Sequence, residues 1–194
     1  MKFTKLSWQD LEKDCIELAK KIKDTKVDEI ISISRGGMVV SRILSDLLNL
    51  PISHIAIESY ADLQQIQEPV VTQVSSREFK GEKILLVDEV SDTGKTYIRA
   101  LSYLKTLPIS QVYTASPYIK PHTEFIPDFY VKNLDTWIVF PYDIRETKEA
   151  FTKELSAYKG GKGTIQFPLD KSIPLHLITR IVNFRAEEIF LKSK

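Results

Sequence analysis

The chain has 194 residues, 43% hydrophobic and 27% charged, a globular composition with room for one sizeable core and a small appendage. A net charge of +1 removes any global electrostatic case for nucleic acid or an anionic membrane, so any phosphate binding must be local. The single cysteine, Cys15, excludes an internal disulfide; no signal-peptide core or membrane-length run is visible, and a reducing cytoplasm is the expected compartment.

Ser7-Trp8-Gln9-Asp10 reads as a helix start, with Leu11, Cys15, Leu18 and Ile22 following at helical spacing. Cys15 is then a core residue. Glu29 to Ser34 reads as a strand, apolar at Ile30, Ile31 and Ile33. Ser34-Arg35-Gly36-Gly37 follows, and Met38-Val39-Val40 leads into a helix carrying Ile43, Leu44, Leu47 and Leu48. Glycines between a strand and a helix let backbone N–H groups approach an anion closely, and Arg35 adds charge, although the pair alone marks no more than a tight turn. Ile52 to Tyr60 is a further predicted strand. Residues 61 to 80 have the composition of a mobile hood or a short hairpin; Arg77 within them reads as a solvated surface arginine, with the reach to touch an anion as the lesser reading.

Ile84 to Val87 is a continuous apolar run too short for a helix, the pattern of a buried strand in a parallel sheet. It stops at the adjacent carboxylates Asp88 and Glu89, and a loop ending in Asp92-Thr93-Gly94-Lys95-Thr96 opens into a helix over Lys95 to Leu104. Ligands of open α/β sheets sit beyond the carboxyl ends of the strands, where this loop lies. The first amides of the helix, with the hydroxyls of Thr93 and Thr96, make a cradle for one phosphate, and the carboxylates call for hydroxyls or a divalent cation beside it. Gly94-Lys95-Thr96 is not a P-loop, because Glu89 stands where that motif needs its first glycine.

This segment resembles the phosphoribosyl-diphosphate (PRPP) signature of the type I phosphoribosyltransferases, and Arg35-Gly36-Gly37 resembles the pyrophosphate loop of the same family. The resemblance implies an α/β fold, a mainly parallel twisted sheet flanked by helices with a small hood, and a flexible loop at about 61–80 that closes over substrate. It further implies that Arg35, Gly36 and Gly37 take the pyrophosphate. Asp88 and Glu89 hold the ribose hydroxyls and Mg²⁺, and Asp92, Thr93, Gly94, Lys95 and Thr96 grip the 5′-phosphate. The acidic pair is Asp-Glu here, where the xanthine-guanine enzymes carry Asp-Asp.

Gln111 to Ile119 is the next predicted strand, ending at Lys120-Pro121, and Tyr130-Val131 and Trp137 to Phe140 supply later strand segments. Alternating strands and helices predict a mainly parallel sheet with helices on both faces. The run Asp128-Phe129-Tyr130-Val131, with Asp135-Thr136-Trp137-Ile138 and Phe140-Pro141-Tyr142-Asp143, resembles the base-binding end of the xanthine-guanine phosphoribosyltransferases. Trp137 offers a flat face for a purine, Lys120 a donor to a 6-oxo oxygen, and the backbone at Ile138 a partner for the 2-position. Read without the family, Trp137 is plain core and Lys120 a surface lysine. The resemblance places Asp92 beside N7 of the purine as the proton acceptor, with Asp143 as a lesser metal-water contact.

The resemblance implies PRPP and a purine base as substrates, Mg²⁺ as cofactor, and a purine-salvage transfer to N9 of xanthine, guanine or hypoxanthine. Residues 1–145 form the expected phosphoribosyltransferase domain. Residues 146–194 form an expected helical extension that packs on it or on a subunit interface of a homodimer or homotetramer. Within that extension Lys148 to Tyr158 and Leu175 to Ile189 are predicted helices, and Lys159 to Gly163 a solvated break. Two other readings stand beside this one: a phosphoribosyltransferase for adenine, uracil or orotate, and a non-enzymatic PRPP- or nucleotide-sensing regulator that binds nucleic acid.

Overall fold

Local signals set the elements of the computed structural model, which run β1 (Phe3–Lys5), α1 (Trp8–Ile22), β2 (Glu29–Ser34), α2 (Met38–Leu48), β3 (Ile52–Glu58), β4 (Ala61–Asp62), β5 (Gln65–Ile66) and β6 (Val70–Gln73). They continue as β7 (Lys83–Val87), β8 (Val90–Ser91), α3 (Lys95–Leu104), β9 (Gln111–Ala115), β10 (Tyr118–Ile119), β11 (Lys132–Asn133), β12 (Trp137–Val139), β13 (Lys159–Gly161) and β14 (Thr164–Gln166). The structure describes residues 3–58, 61–62, 65–66, 70–73, 78–143, 155–156, 158–161, 164–168, 172–179 and 181–182. The chain falls into two compact units, Met1–Ile138 and Val139–Lys194.

In the first unit, α1 begins with a capping box: Ser7 Oγ accepts from the Asp10 N–H at 3.1 Å, and Asp10 Oδ2 accepts from the Ser7 N–H at 3.0 Å. Leu11, Cys15, Leu18 and Ile22 are all 0% exposed, as their spacing predicts. Burial pushes the Cys15 thiol up to about 12, so it behaves as a small apolar core group.

The main sheet has the order β6-β3-β2-β7-β9. β2 pairs in parallel with β3 and β7, and β7 in parallel with β9, while β6 closes the edge antiparallel to β3. Ile31, Ile33, Ile55, Ile57, Ile84 and Leu86 pack with Tyr97, Ala100 and Leu104 of α3 on one face. The alternate residues Ile30, Ser32, Leu85 and Val87 point the other way and are buried too, so the sheet is covered on both faces. That explains the unbroken apolar run of β7. It also leaves the loops beyond the strand ends as the place for chemistry.

Beyond β9 the chain departs from the expected pattern. The strand predicted over 111–119 breaks at Ser116-Pro117, because proline has no N–H to continue the ladder. Released there, β10 pairs in parallel with β8 on one side and β11 on the other, forming a small second sheet. Residues 130–131 are not a strand; the pairing falls on Lys132–Asn133. β12 pairs with β1, with Thr4 and Thr136 hydroxyls 2.6 Å apart, rather than joining the main sheet. In the hood segment, β4 and β5 form a short antiparallel pair. Arg77 lies outside the described residues.

One buried polar cluster ties α1 to the small sheet. Asp14, 2% exposed, accepts from the Tyr118 hydroxyl at 2.8 Å and from Lys132 Nζ at 2.7 Å. Asp14→Ala removes the shared acceptor and leaves a buried gap beside polar groups. With the half-exposed Lys132 discounted for solvent screening, the expected loss is about 2–3 kcal/mol, read as a lower midpoint in urea unfolding.

In the second unit β13 and β14 pair antiparallel, Gly160 opposite Ile165. The break predicted at 159–163 is thus a strand over its first residues. Tyr158 and Phe167 meet edge to face with centroids 5.0 Å apart. Residues 175–179 and 181–182 are helical, with Leu177 buried. The predicted helix at 148–158 falls mostly outside the described residues.

Candidate active site

Strands β2, β7 and β10 each end in a loop that carries polar residues, and the structure brings these loops together. The first is Arg35-Gly36-Gly37, entered through a cis Ser34–Arg35 peptide. Arg35 is exposed, whereas Gly37 is buried. A Cβ on Gly36 would lie 2.6 Å from Glu89 Oε1 and 3.2 Å from Asp88 Oδ1; one on Gly37 would lie 2.5 Å from Val87 O and 2.9 Å from Ile33 O. Only glycine lets the first loop rest on the acidic pair. Its backbone is consequently held within reach of whatever the carboxylates bind.

The acidic pair is anchored from below. Tyr97 of α3 donates its hydroxyl to Ala115 O at 2.7 Å and accepts from the Asp88 N–H at 3.0 Å. Asp88 Oδ1 in turn accepts from the Glu89 N–H at 2.8 Å. Burial, and then the charge of Glu89, push the Asp88 carboxyl well above the usual carboxylate range. A divalent cation relieves both effects, and an all-oxygen pair suits a hard cation that fills its remaining positions with water and phosphate. Among the described residues no group of three or more His, Cys, Asp or Glu side chains forms a closed metal cage. The residues therefore fit Mg²⁺ shared with a phosphorylated substrate.

The second loop leads from Glu89 into α3. Gly94, at the N-cap, has φ +84° and makes no side-chain cap bond, and Thr93 Oγ1 accepts only a long 3.4 Å bond from the Lys95 N–H. The amides opening α3 therefore face outward as donors, where the helix dipole favours an anion. Asp88, Glu89, Ser91, Asp92, Thr93, Gly94, Thr96 and Tyr97 line a cavity of about 190 Å³ that Val90 completes. Lys95, between Gly94 and Thr96, is exposed.

The third loop, 120–125, follows β10 and bonds to the second. The Lys120 N–H donates to Ser91 O at 3.0 Å and the Glu124 N–H to Thr93 O at 3.0 Å. Lys120 is 8% exposed, and its ammonium donates to Thr136 O, next to Trp137. Burial lowers the Lys120 pKa, while Asp92 and Asp135 oppose that shift. Trp137 is 37% exposed and reaches solvent, whereas Ile138 is buried at 8%. Asp143 belongs to the second unit, where its N–H donates to Phe140 O at 3.1 Å. Two features were not read from the sequence. Tyr97 braces Asp88, and His122 Nε2 stands 2.7 Å from Asp92 Oδ1; a histidine two residues past Lys120 was the available signal for the second.

Comparison with known proteins bears on the family and the fold. Residues 6–147 match the phosphoribosyl transferase domain family. The xanthine-guanine phosphoribosyltransferase of Idiomarina loihiensis is 33% identical over 144 residues, covering 72% of this chain and 86% of that one. The purine phosphoribosyltransferase from Pyrococcus horikoshii superposes with a TM-score of 0.67 at 33% identity, over 73% of this chain and 95% of that one. A hypothetical protein from Neisseria gonorrhoeae with bound ppGpp superposes with a TM-score of 0.66 at 27% identity, over 76% and 93%.

Proposed function

This chain belongs to the phosphoribosyl transferase domain family, and from that premise we propose that it transfers the 5-phosphoribosyl group of PRPP to N9 of a 6-oxopurine in purine salvage. The products are the nucleoside 5′-monophosphate and pyrophosphate. The observation that carries this reading is the packing of the glycine loop on the acidic pair, beside a cavity that the pair and the helix-opening loop line, with the Lys120 ammonium bonded to Thr136 O, next to Trp137.

In this reading Arg35 and the amides of Gly36 and Gly37 receive the pyrophosphate as it leaves C1. The amides at 94–96, with Thr93 and Thr96, hold the 5′-phosphate. Asp88 and Glu89 orient the ribose hydroxyls and hold Mg²⁺, which when bound neutralises charge on the departing group. Asp92 accepts the N7 proton as N9 attacks C1. Trp137 presents the purine with a face, Lys120 donates to O6, and the Ile138 backbone meets the 2-position. The hood at about 61–80 closes over the substrates, and the segment 146–194 serves as an interface element of a cytoplasmic homodimer or homotetramer.

The base assignment is tested at Lys120. Lys120→Met keeps the buried apolar stem and removes the donor to O6. It is expected to lower kcat/KM for hypoxanthine or guanine by about 10- to 100-fold, the worth of a hydrogen bond to a charged group, while KM for PRPP moves by less than about twofold. An equal loss toward PRPP and base, or no loss, removes Lys120 from the base site.

A nucleotide-sensing regulator is the second reading, supported by the Neisseria neighbour with bound ppGpp. It predicts tight nucleotide binding without pyrophosphate release from PRPP.

A further inference from the structure

His122 lies outside the motifs that carry the family resemblance, yet its ring nitrogen Nε2 stands 2.7 Å from Asp92 Oδ1. The backbone around it dictates that approach. Ahead of it the Lys120 N–H donates to Ser91 O at 3.0 Å, and behind it the Glu124 N–H donates to Thr93 O at 3.0 Å. Between these, Ser91 Oγ donates to Phe125 O at 2.7 Å and lies 2.9 Å from Thr123 Oγ1, while the Thr123 N–H donates to Lys120 O at 3.1 Å. The turn bearing His122 is thus sewn to the loop bearing Asp92 on both sides of the contact. With side-chain exposures of 61% and 55%, the pair adds little to stability. Its consequence falls on the carboxylate itself.

Resting on the functional reading above, we propose that His122 is a positioning residue for the proton acceptor. It occupies Asp92 Oδ1 and leaves Oδ2 for the purine proton.

The sign follows from the geometry. A neutral imidazole donating from Nε2 orients the carboxylate and leaves its charge available. An imidazolium at 2.7 Å forms an ion pair that stabilises the ionised carboxylate and makes it a weaker proton acceptor. A permanent cation at this place is therefore expected to slow transfer, and a neutral N–H donor to preserve it. Other charged groups in the neighbourhood are Lys120 and Glu124 on the same segment, Lys95 at the start of α3, and Asp135, whose field reaches Lys120. The neutral form of the pair also requires the tautomer protonated at Nε2.

The test is kcat and KM for hypoxanthine and for PRPP at pH 8 in wild type, His122→Gln, His122→Ala and His122→Lys. His122→Ala loses the orienting bond, and kcat falls about three- to tenfold with KM for PRPP unchanged. His122→Gln keeps an N–H donor and restores kcat to within about twofold of wild type. His122→Lys sets a permanent cation on the carboxylate, and kcat falls by about tenfold or more. A kcat in His122→Ala equal to wild type, or a loss in His122→Gln as large as in His122→Ala, overturns the proposal while leaving the functional reading intact. Absence of turnover in wild type with every purine overturns the functional reading, and this proposal with it. Circular dichroism and urea unfolding of each variant separate these outcomes from misfolding.

Discussion

Asp92→Asn is expected to lower kcat with a 6-oxopurine by about 10²- to 10⁴-fold, the usual worth of a placed general base, while KM for PRPP stays within about threefold. The substitution keeps size and hydrogen-bonding capacity and removes only the ability to take a proton. Asp92 is 55% exposed, so the fold has no stake in its charge. The carboxylate lines the cavity beside Thr93 and Gly94 and its charge acts on Lys120, which supports the proposed place between phosphate and base. Steady-state pyrophosphate release measures the effect. A variant retaining more than about a tenth of wild-type kcat assigns the proton to another acceptor.

Gly94→Ala is the second large effect, and it acts through the backbone. Gly94 has φ +84°, and a Cβ there would lie 2.6 Å from both the backbone nitrogen and Cβ of Phe125. The left-handed conformation costs an L-residue about 1–2 kcal/mol, and the overpacking adds about 1–3 kcal/mol. The loop must shift, carrying the opening amides of α3 with it. The expected result is a loss of about 2–5 kcal/mol in urea unfolding, with KM for PRPP raised at least about tenfold. Gly81→Ala is the control: φ is +98° there, but no atom lies within 4 Å of the added Cβ, so it loses stability without touching PRPP use. Equal effects of the two substitutions on KM would show that strain alone, and not the position of α3, governs phosphate binding.

Much of the frame was legible because its signals are local. Ser7 and Asp10 three residues apart mark the start of α1, and the period of Leu11, Cys15, Leu18 and Ile22 carries it to its end. The strand Glu29–Ser34 and the helix Lys95–Leu104 have the bounds that their patterns predict. The acidic pair and the loop that opens α3 were legible for a similar reason, since one contiguous stretch holds strand, carboxylates, glycine and helix.

Pairings between distant segments were not legible. β12 is a strand of only three residues, too short to show a period, and its partner β1 lies at the other end of the first unit. The strand over 111–119 was read straight through Pro117, whose missing N–H breaks it, and the new partners that β10 takes were not visible. Glycines at 160 and 161 read as a break because their flexibility is local information, whereas the partner strand that orders them is not. In the site, Tyr97 counted as one helical aromatic until its hydroxyl met Asp88, and His122 lies 30 residues from the carboxylate it touches. Contacts of that kind arise only once the sheet has placed the loop ends side by side.

The most direct test of phosphoribosyl transfer is the rate of pyrophosphate release from PRPP and Mg²⁺ in the presence of each base in turn. Release with hypoxanthine, guanine or xanthine, and none with adenine, uracil or orotate, is the predicted result. Release only with adenine, uracil or orotate would contradict the assignment of Lys120 and Trp137 to a 6-oxopurine. Release with no base, while PRPP still binds, would contradict catalysis itself.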